Sequence, residues 1–473
     1  MRKELLLMAF SAGACVTVAE RRIDGDVAPS PAVRSGEHRP APAQTGPSQE
    51  VLAQVARAGG TVSLAQLIGF ALRTSPATRA TWSDARAAAA MVGSKRSAFF
   101  PQVEVDGNIG FTHQTFGLSG IQFEYKSWGP SAQLTWLLLD LGTRSSDVDE
   151  AQALLAAANL SHDTQVADLI LGVEQAYTQY QGAKALLAAQ KTSVGEAQTN
   201  YQAAQERRRA GVATAADVLQ AKTALSQAQL QLQLLDGQVN TLRGAVATSV
   251  GVPATVNIEV EDLPQVSLET QLARIEELVA QAERDRPELA RARAQAGAAQ
   301  SHADSVRWRG WPQLVLNANA QRNYFITQGA PHGDNYSAAL VLRIPLFTGF
   351  KDSFDAVQAE EQARAAMARA ESVEQQVILQ VWSSYHGVRT AAQRVRTAQD
   401  LLASASESEQ MAAGRYKEGV GSILDVLTAQ SALASARAQE VQARGDWLLS
   451  VASLAHDTGS LGPPAQSPEK SPR

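Results

Sequence analysis

Residues 101–112 read Pro-Gln-Val-Glu-Val-Asp-Gly-Asn-Ile-Gly-Phe-Thr, a stretch in which apolar and polar side chains alternate. In an extended chain this alternation places the valines, Ile109 and Phe111 on one face and mainly polar residues on the other. The same pattern recurs around residues 133–136, 313–321 and 336–344. A tilted strand needs about ten residues to cross an outer membrane. The sequence therefore predicts four membrane-crossing β-strands.

Aromatic residues cluster at the ends of these segments, as an interfacial girdle requires. They are Phe99, Phe100, Trp128, Trp136, Trp308, Trp311 and Tyr324. Four strands cannot close a barrel, and an open sheet edge in hydrocarbon leaves backbone groups without hydrogen bonds. The chain is therefore expected to oligomerise. A half-buried sheet in a soluble protein would show the same alternation, so that alternative stays open on the strands alone.

Much of the chain occurs twice. Residues 73–76 and 100–102 correspond to residues 284–287 and 311–313, in both cases 211 positions later. Farther on, Gly142 corresponds to Gly349, 207 positions later, and residues 217–219 correspond to residues 425–427, 208 positions later. The smaller shift indicates a shorter loop in the second copy. The sequence thus predicts an internal two-fold repeat.

Each copy also predicts a pair of very long helices. Proline is absent between residues 130 and 253 and between residues 345 and 463, although the chain has 18 prolines. Over residues 169–204 mainly apolar positions recur alternately every four and three residues, and residues 377–412 keep the same register. A second seam follows each Gly-Val turn. One antiparallel helical hairpin is therefore predicted in each copy, and a helix over residues 145–210 would be about 100 Å long.

Composition limits the remaining functions. The net charge of −5 and the lack of a polybasic patch make nucleic acid an unexpected partner. Cys15 is the single cysteine, which excludes internal disulfides and a multi-thiolate zinc site. The seven histidines lack metal-ligand spacing, and no phosphate loop or nucleophile motif is present. We expect no catalytic residue, cofactor or bound metal, and a hydrolytic or redox enzyme is the least favoured alternative.

The N-terminus is typical of an export signal, with Arg2 and Lys3 before an apolar stretch of about ten residues. That stretch is too short to span a bilayer. Cys15 follows small residues, as in a lipoprotein signal, but Ala12 stands where a large aliphatic residue is usual. Lipidation of Cys15 and its removal with the signal are both open alternatives.

The predicted domain organisation has six parts. They are a signal peptide (1–15), a flexible Pro/Ala-rich extension (16–60), the first repeat (61–251), an equatorial linker (252–266), the second repeat (267–459) and a disordered tail (460–473).

Paired strand hairpins, each followed by a very long helix, a Gly-Val turn and an Asp-Val-Leu helix start, resemble the TolC-like family of outer-membrane efflux and secretion channels. The resemblance covers about residues 62–459 and rests on the order and duplication of the motifs. It implies a mainly α-helical homotrimer. Each protomer would give four β-strands to a twelve-stranded transmembrane barrel in outer-membrane lipid and long antiparallel helices to a periplasmic α-helical barrel.

The resemblance also implies partners. A periplasmic adaptor (membrane fusion) protein would dock to the channel, and an inner-membrane transporter would supply the energy, as in tripartite efflux or type I secretion systems. The segment from about residue 252 to 283, with the terminal extensions, would form a belt around the middle of the tunnel.

A gate is implied at the turns between the long helices. Family aspartates that ring the closed periplasmic entrance match Asp217 and Asp425, and a family latch tyrosine matches Tyr416. Three copies of each aspartate at a constriction would favour cations. The family's latch arginine falls on Gly421 and a second ring aspartate on Thr428, so this gate is expected to be held more weakly.

Both aspartates also have a structural explanation. Thr214-x-x-Asp217 and Ser422-x-x-Asp425 are capping-box patterns, which satisfy free amides at a helix start and oppose the helix dipole. Capping and a pore role are compatible. The turns are expected to need glycine at Gly211, Gly419 and Gly421.

The sequence therefore predicts a passive exit duct across the periplasm and the outer membrane. The main alternative is a soluble or peripheral periplasmic coiled-coil scaffold, in which the alternating segments only pair into a small sheet. Insertion into lipid would separate the two, because the scaffold has no reason to enter a membrane.

Overall fold

The computed structural model describes residues 61–116, 121–261, 273–326 and 332–461. The predicted signal peptide, the 16–60 extension, residues 262–266 of the linker and residues 462–473 of the tail lie outside the described residues. Contacts divide the chain into two units, of which the first contains residues 83–159 and 291–372. The second contains the remaining described residues. Within the described part, no helix combines the length and apolarity that a membrane crossing requires.

The same order of elements occurs twice in the described chain. The first set is β1 (Thr61–Val62), α1 (Leu64–Thr74), α2 (Pro76–Ser97), β2 (Gln102–Phe116), β3 (Ile121–Leu139), α3 (Thr143–Arg209) and α4 (Ala215–Ser249). The second set is β4 (Glu259–Val260), α5 (Ile275–Asp285), α6 (Pro287–Trp308), β5 (Gln313–Phe325), β6 (Gly333–Arg343), α7 (Lys351–Lys417) and α8 (Ile423–Asp457). Corresponding helices have equal lengths of 11, 22, 67 and 35 residues.

The first unit contains an antiparallel sheet whose described strands lie in the order β2-β3-β5-β6. Cross-strand partners share a face, so one face collects apolar side chains and the other polar ones. One apolar row is Val103, Leu134, Ala318 and Ala338. The neighbouring polar row is Glu104, Gln133, Asn319 and Ser337. The apolar face is open, because Ile109 is 80% exposed and Val103 67% exposed.

The strands confirm the predicted alternation but are longer than expected in the first hairpin. β2 has 15 residues and β3 has 19, compared with the roughly ten needed to cross a membrane. Polar cross-strand pairs extend the hairpin, since His113 and Glu124 lie opposite each other with 2.7 Å between Nδ1 and Oε1. β2 and β6 are the edges of the sheet, and their outer sides have no strand partner among the described residues.

Helices of the first unit follow the order of the strands. Buried residues join α2 to α3 and α6 to α7; they are Ala89, Val92, Ala151 and Leu155 in one contact and Ala303, Val306, Ala359 and Ala363 in the other. Polar pairs join α3 to α6, because the Ser305 hydroxyl donates to Asp147 and the His302 ring lies 3.1 Å from Glu150. The helix order is therefore α2, α3, α6, α7.

The two strand-to-helix joints correct one part of the sequence comparison. α3 and α7 begin and end 208 residues apart, and the positive-φ pairs are Leu141 with Gly142 and Gly349 with Phe350. The predicted match of Gly142 to Gly349 is therefore one residue out of register. Both positions of each joint have a positive φ, so glycine could occupy either one.

The second unit confirms the predicted helix seams. Val173, Val381 and Val395 are at most 1% exposed, and the weaker seam of α8 is buried almost throughout. Polar interruptions have partners: the Gln190 amide donates to the Ala228 carbonyl at 2.9 Å, and the buried Glu440 is paired with Arg444. Small residues along the seams let the long helices approach closely.

Gly129 provides a test of the sheet. An added Cβ there would overlap the Arg322 carbonyl oxygen of β5, whereas one at Gly107 would meet nothing within 4 Å. We expect Gly129→Ala to push β3 from β5 and to destabilise the folded protein by about 1–3 kcal/mol. Gly107→Ala should change stability by less than about 0.5 kcal/mol. Thermal denaturation in detergent measures both, and equal effects would contradict the close approach.

Candidate gate at the turns of the long helices

The turn between α3 and α4 is closed by a Schellman motif. The Val212 amide donates to the Arg207 carbonyl at 2.9 Å and the Gly211 amide to the Arg208 carbonyl at 3.0 Å. Gly211 has a φ of 77°, a conformation that side chains with a Cβ rarely adopt. Two of the free carbonyls at the end of α3 are thereby satisfied.

The turn between α7 and α8 has the same geometry. The Val420 amide donates to the Arg415 carbonyl at 3.0 Å and the Gly419 amide to the Tyr416 carbonyl at 3.1 Å. Gly419 has a φ of 81°. Gly421 differs, because its φ is not in the left-handed region, but an added Cβ would lie 3.1 Å from the Tyr416 nitrogen. Close approach, and not backbone conformation, favours glycine there.

Both predicted capping boxes are formed. The Thr214 amide donates to Asp217 at 2.7 Å, and the Asp217 amide donates back to the Thr214 hydroxyl at 3.2 Å. Ser422 and Asp425 make the same exchange, at 3.1 Å in both directions. The amide of Ser422, and then its side chain, hold the pKa of the Asp425 carboxyl below its usual value. Asp425 is therefore a carboxylate at neutral pH, and it is exposed.

Tyr416 lies against Arg207, a residue of the other hairpin. The Arg207 guanidinium donates to the Tyr416 carbonyl through Nη1 at 2.7 Å, and its carbon lies 4.5 Å from the centre of the tyrosine ring. This carbonyl belongs to the last turn of α7, where carbonyls lack helical partners and a cation is favoured by the helix dipole. Arg207 therefore caps α7 and stacks on its tyrosine, and we call this contact the arginine clasp.

Burial raises the pKa of the Tyr416 hydroxyl, and Asp217 raises it further while Arg207 lowers it. Asp217 is therefore near enough to act on the clasp electrostatically. The Tyr416 hydroxyl and the Arg207 Nε are both buried and have no hydrogen-bond partner among the described residues. The structure thus brings Tyr416 close to Asp217 without a direct hydrogen bond between the two.

Further polar pairs join the same two hairpins along α3 and α8. The Asn200 amide donates to the Gln430 side chain at 2.6 Å. The Arg437 guanidinium and the Glu196 carboxylate approach to 3.2 Å, and both side chains are less than a third exposed. A groove of about 520 Å³ lies beside these pairs and is lined mainly by glutamine, alanine and leucine side chains. Among the described residues, discrete polar contacts therefore join the two hairpins.

Sequence reasoning missed Arg207. Its local signal is a run of three arginines at the end of α3, which a helix C-terminus favours wherever the side chains point. Periodicity alone cannot show which of the three turns towards the partner hairpin. Thr428, at the position of the family's second ring aspartate, is exposed on α8.

A separate cluster in the second unit contains groups that can ligate metal. Asp168, Glu288 and His456 place potential ligand atoms within 4.8 Å of one another. His456 lies 3.1 Å from Asp168 through Nε2 and 3.1 Å from Asp457 through Nδ1. These hydrogen bonds raise the pKa of the His456 ring to about 9. At neutral pH both ring nitrogens are therefore protonated, and the cluster is an ion-pair network between α3, α6 and α8.

The raised pKa of His456 predicts a pH-dependent stability. Its contribution should be complete below the unfolded value of about 6.5 and should disappear as the pH rises through about 9. We expect His456→Gln to remove about 1–2 kcal/mol at pH 6 and almost nothing at pH 10. His386→Gln, at an exposed histidine of α7, is the control for the substitution itself. Thermal unfolding across this pH range tests the prediction, and a constant difference would contradict it.

Comparison with known proteins identifies the family. The family model of the outer membrane efflux protein matches residues 67–252 and 278–460. The chain is 28% identical to protein CyaE of Bordetella pertussis over 375 residues, which are 77% of each chain. It is 26% identical to the toluene efflux pump outer membrane protein TtgF of Pseudomonas putida over 375 residues, which are 76% of each chain.

Solved structures show the same fold. The outer membrane protein VceC of Vibrio cholerae matches with a TM-score of 0.74 at 18% identity, over 84% of this chain and 96% of that one. The family model alone covers well over half of the chain. Its two matched segments lie on either side of residues 262–272, which are outside the described residues. The chain therefore belongs to the outer membrane efflux protein family and is an outer-membrane efflux channel.

Proposed function

We propose that the protein works as a homotrimer in which three four-stranded sheets close one twelve-stranded barrel. The observation that carries this proposal is the sheet itself, which has one apolar face, one polar face and two edges without a described partner. In lipid an unpaired edge would leave its backbone groups without hydrogen bonds, and pairing β6 of one copy with β2 of the next removes both edges. The apolar face then meets lipid and the polar face lines the lumen.

The long helices would continue this barrel as an α-helical tunnel in the periplasm. The predicted repeats, residues 61–251 and 267–459, would then act as equivalent parts of one wall, joined by the predicted linker 252–266. β4 (Glu259–Val260), the counterpart of β1, lies inside that linker. Corresponding helices of equal length support this arrangement. The soluble scaffold is not favoured, because the chain belongs to a family of outer-membrane channels.

The partners proposed are a periplasmic adaptor protein and an inner-membrane transporter. A relative is named as the outer membrane protein of a toluene efflux pump, which supports a role as one component of a larger pump. The channel itself would be passive, with no catalytic group, and the transporter would supply the energy. Acylation of Cys15 and cleavage of a signal after residues 1–15 remain predictions.

The gate is proposed at the turns of the long helices. In a trimer, three copies of Asp217 and Asp425 would surround the entrance and favour cations over anions. Their capping hydrogen bonds occupy one carboxylate oxygen each, so the other oxygen is available to face the pore. The arginine clasp would hold the α7–α8 hairpin against the α3–α4 hairpin in the closed state and separate on opening.

The cation ring is tested with a neutral residue that keeps the cap. The Asn side chain keeps a carbonyl oxygen, so Asp425→Asn removes the charge while leaving an acceptor for the Ser422 amide. We expect Asp425→Asn to lower the cation preference of single channels in planar bilayers. Asp236, exposed in the middle of α4, supplies the control Asp236→Asn. Unchanged selectivity in Asp425→Asn would contradict the ring.

The clasp is tested by neutralising Arg207. Loss of its stacking and of one hydrogen bond is expected to cost about 1–2 kcal/mol, which would raise the ratio of open to closed channels by about 5- to 30-fold. Single-channel recordings of Arg207→Gln measure this ratio. Arg208→Gln is the control, because Arg208 is exposed and lies next to Arg207. Equal ratios of open to closed channels in the two variants would contradict a role of the clasp in the gate.

A further inference from the structure

One face of α2 in the first unit has no partner among the described residues. α2 and α6 have equal lengths and lie 211 residues apart, so each residue of α2 has a counterpart in α6. Ala298 and Ser305 of α6 are buried, at 3% and 0% exposure, and Ser305 contacts Asp147 of α3. Their counterparts Ala87 and Ser94 are both exposed, and Met91, the counterpart of His302, is 51% exposed.

The start of α7 is the matching free surface. α7 lies 208 residues after α3, and α3 uses its first turns to contact α6. Asp147 of α3 accepts the hydrogen bond from the Ser305 hydroxyl. Its counterpart in α7 is Asp355, which is bonded to Lys351 through Oδ2. A carboxylate has a second oxygen, so Asp355 can accept a further hydrogen bond.

Two contacts of α3 with α6 have counterparts that no protomer can form by itself. The hydrogen-bonded Ser305 and Asp147 correspond to Ser94 and Asp355, which are again a serine and an aspartate. This second serine and aspartate lie on α2 and α7, the two outer helices in the order α2, α3, α6, α7. Only a second copy can bring the two edges together.

The second contact is a size match. An added Cβ on Gly142 would lie 3.0 Å from the Trp308 ring nitrogen, so the tryptophan covers this glycine closely. The counterparts are Ser97 for Trp308 and Phe350 for Gly142. Phe350 is 65% exposed, and Ser97 is exposed at the end of α2. In the first contact the large residue ends α6 and the small one precedes α3. In the counterpart the small residue ends α2 and the large one precedes α7.

We propose that the start of α7 in one copy packs against α2 of a second copy of this chain. Phe350 covers Ser97 of the neighbour, and the Ser94 hydroxyl of the neighbour donates to Asp355. The contact continues the free sheet edges, because β6 precedes α7 and β2 follows α2. It rests on the proposed homotrimer and identifies the surface that joins its protomers beside the sheet.

The size match gives a swap experiment. Ser97→Trp places two large residues opposite each other, and we expect the fraction of SDS-resistant trimer on unheated gels to fall by about tenfold. Adding Phe350→Gly to Ser97→Trp recreates the Trp308 and Gly142 pair and should restore the trimer. Glycine suits that position, because Phe350 has a φ of 64°. The matched control is Arg96→Trp, on an adjacent exposed face of α2, which should assemble normally.

Several outcomes would overturn the proposal. A trimer that tolerates Ser97→Trp, or a double variant that stays monomeric while circular dichroism shows intact helices, contradicts this contact and leaves the proposed trimer standing. Wild-type protein that runs only as a monomer in native detergent gels contradicts the trimer itself. In addition, Ser94→Cys with Asp355→Cys should form disulfides between copies on non-reducing gels, and neither single variant should do so. Absence of that product in an assembled trimer also contradicts the contact.

Discussion

The unpaired edges of a four-stranded sheet are the constraint on which the rest of this protein depends. β2 and β6 each present backbone groups that find no strand among the described residues, and hydrocarbon offers them no hydrogen bonds. A sheet with an apolar face and a polar face is stable in an outer membrane only when it closes around a lumen. The proposed pairing with further copies along these edges meets this requirement.

The pairing proposed for the strand edges also involves the helices beside the sheet. Within the first unit, polar and size-matched contacts join α3 to α6. On α2 and before α7, the counterparts Ser94, Ser97 and Phe350 are exposed. A chain with two similar sets of elements can reuse one contact geometry inside the protomer and between protomers. The residue types need not be the same, because only the fit of each pair is required.

The turns of the long helices are well capped, and the described contacts between the two hairpins are few. Capping boxes and Schellman motifs make each hairpin rigid by itself, whereas the two hairpins are linked by Arg207 on Tyr416 and a few polar pairs. Such contacts can separate without exposing a large apolar core. Rigid hairpins joined by a small number of polar bonds are suited to the opening and closing proposed for these turns.

Local periodicity was enough to predict the strands, the long helices and their buried seams, and a four-residue motif predicted both capping boxes. Each of these features depends on residues close together in the chain. The gate candidates Asp217, Asp425 and Tyr416 came from resemblance at matched positions. The tertiary structure alone revealed that Arg207 stacks on Tyr416, 209 residues away, that Gly421 needs space and not a special φ, and that Gly129 touches β5. These features depend on distances between segments remote in sequence, and a pattern along one chain contains no such distances.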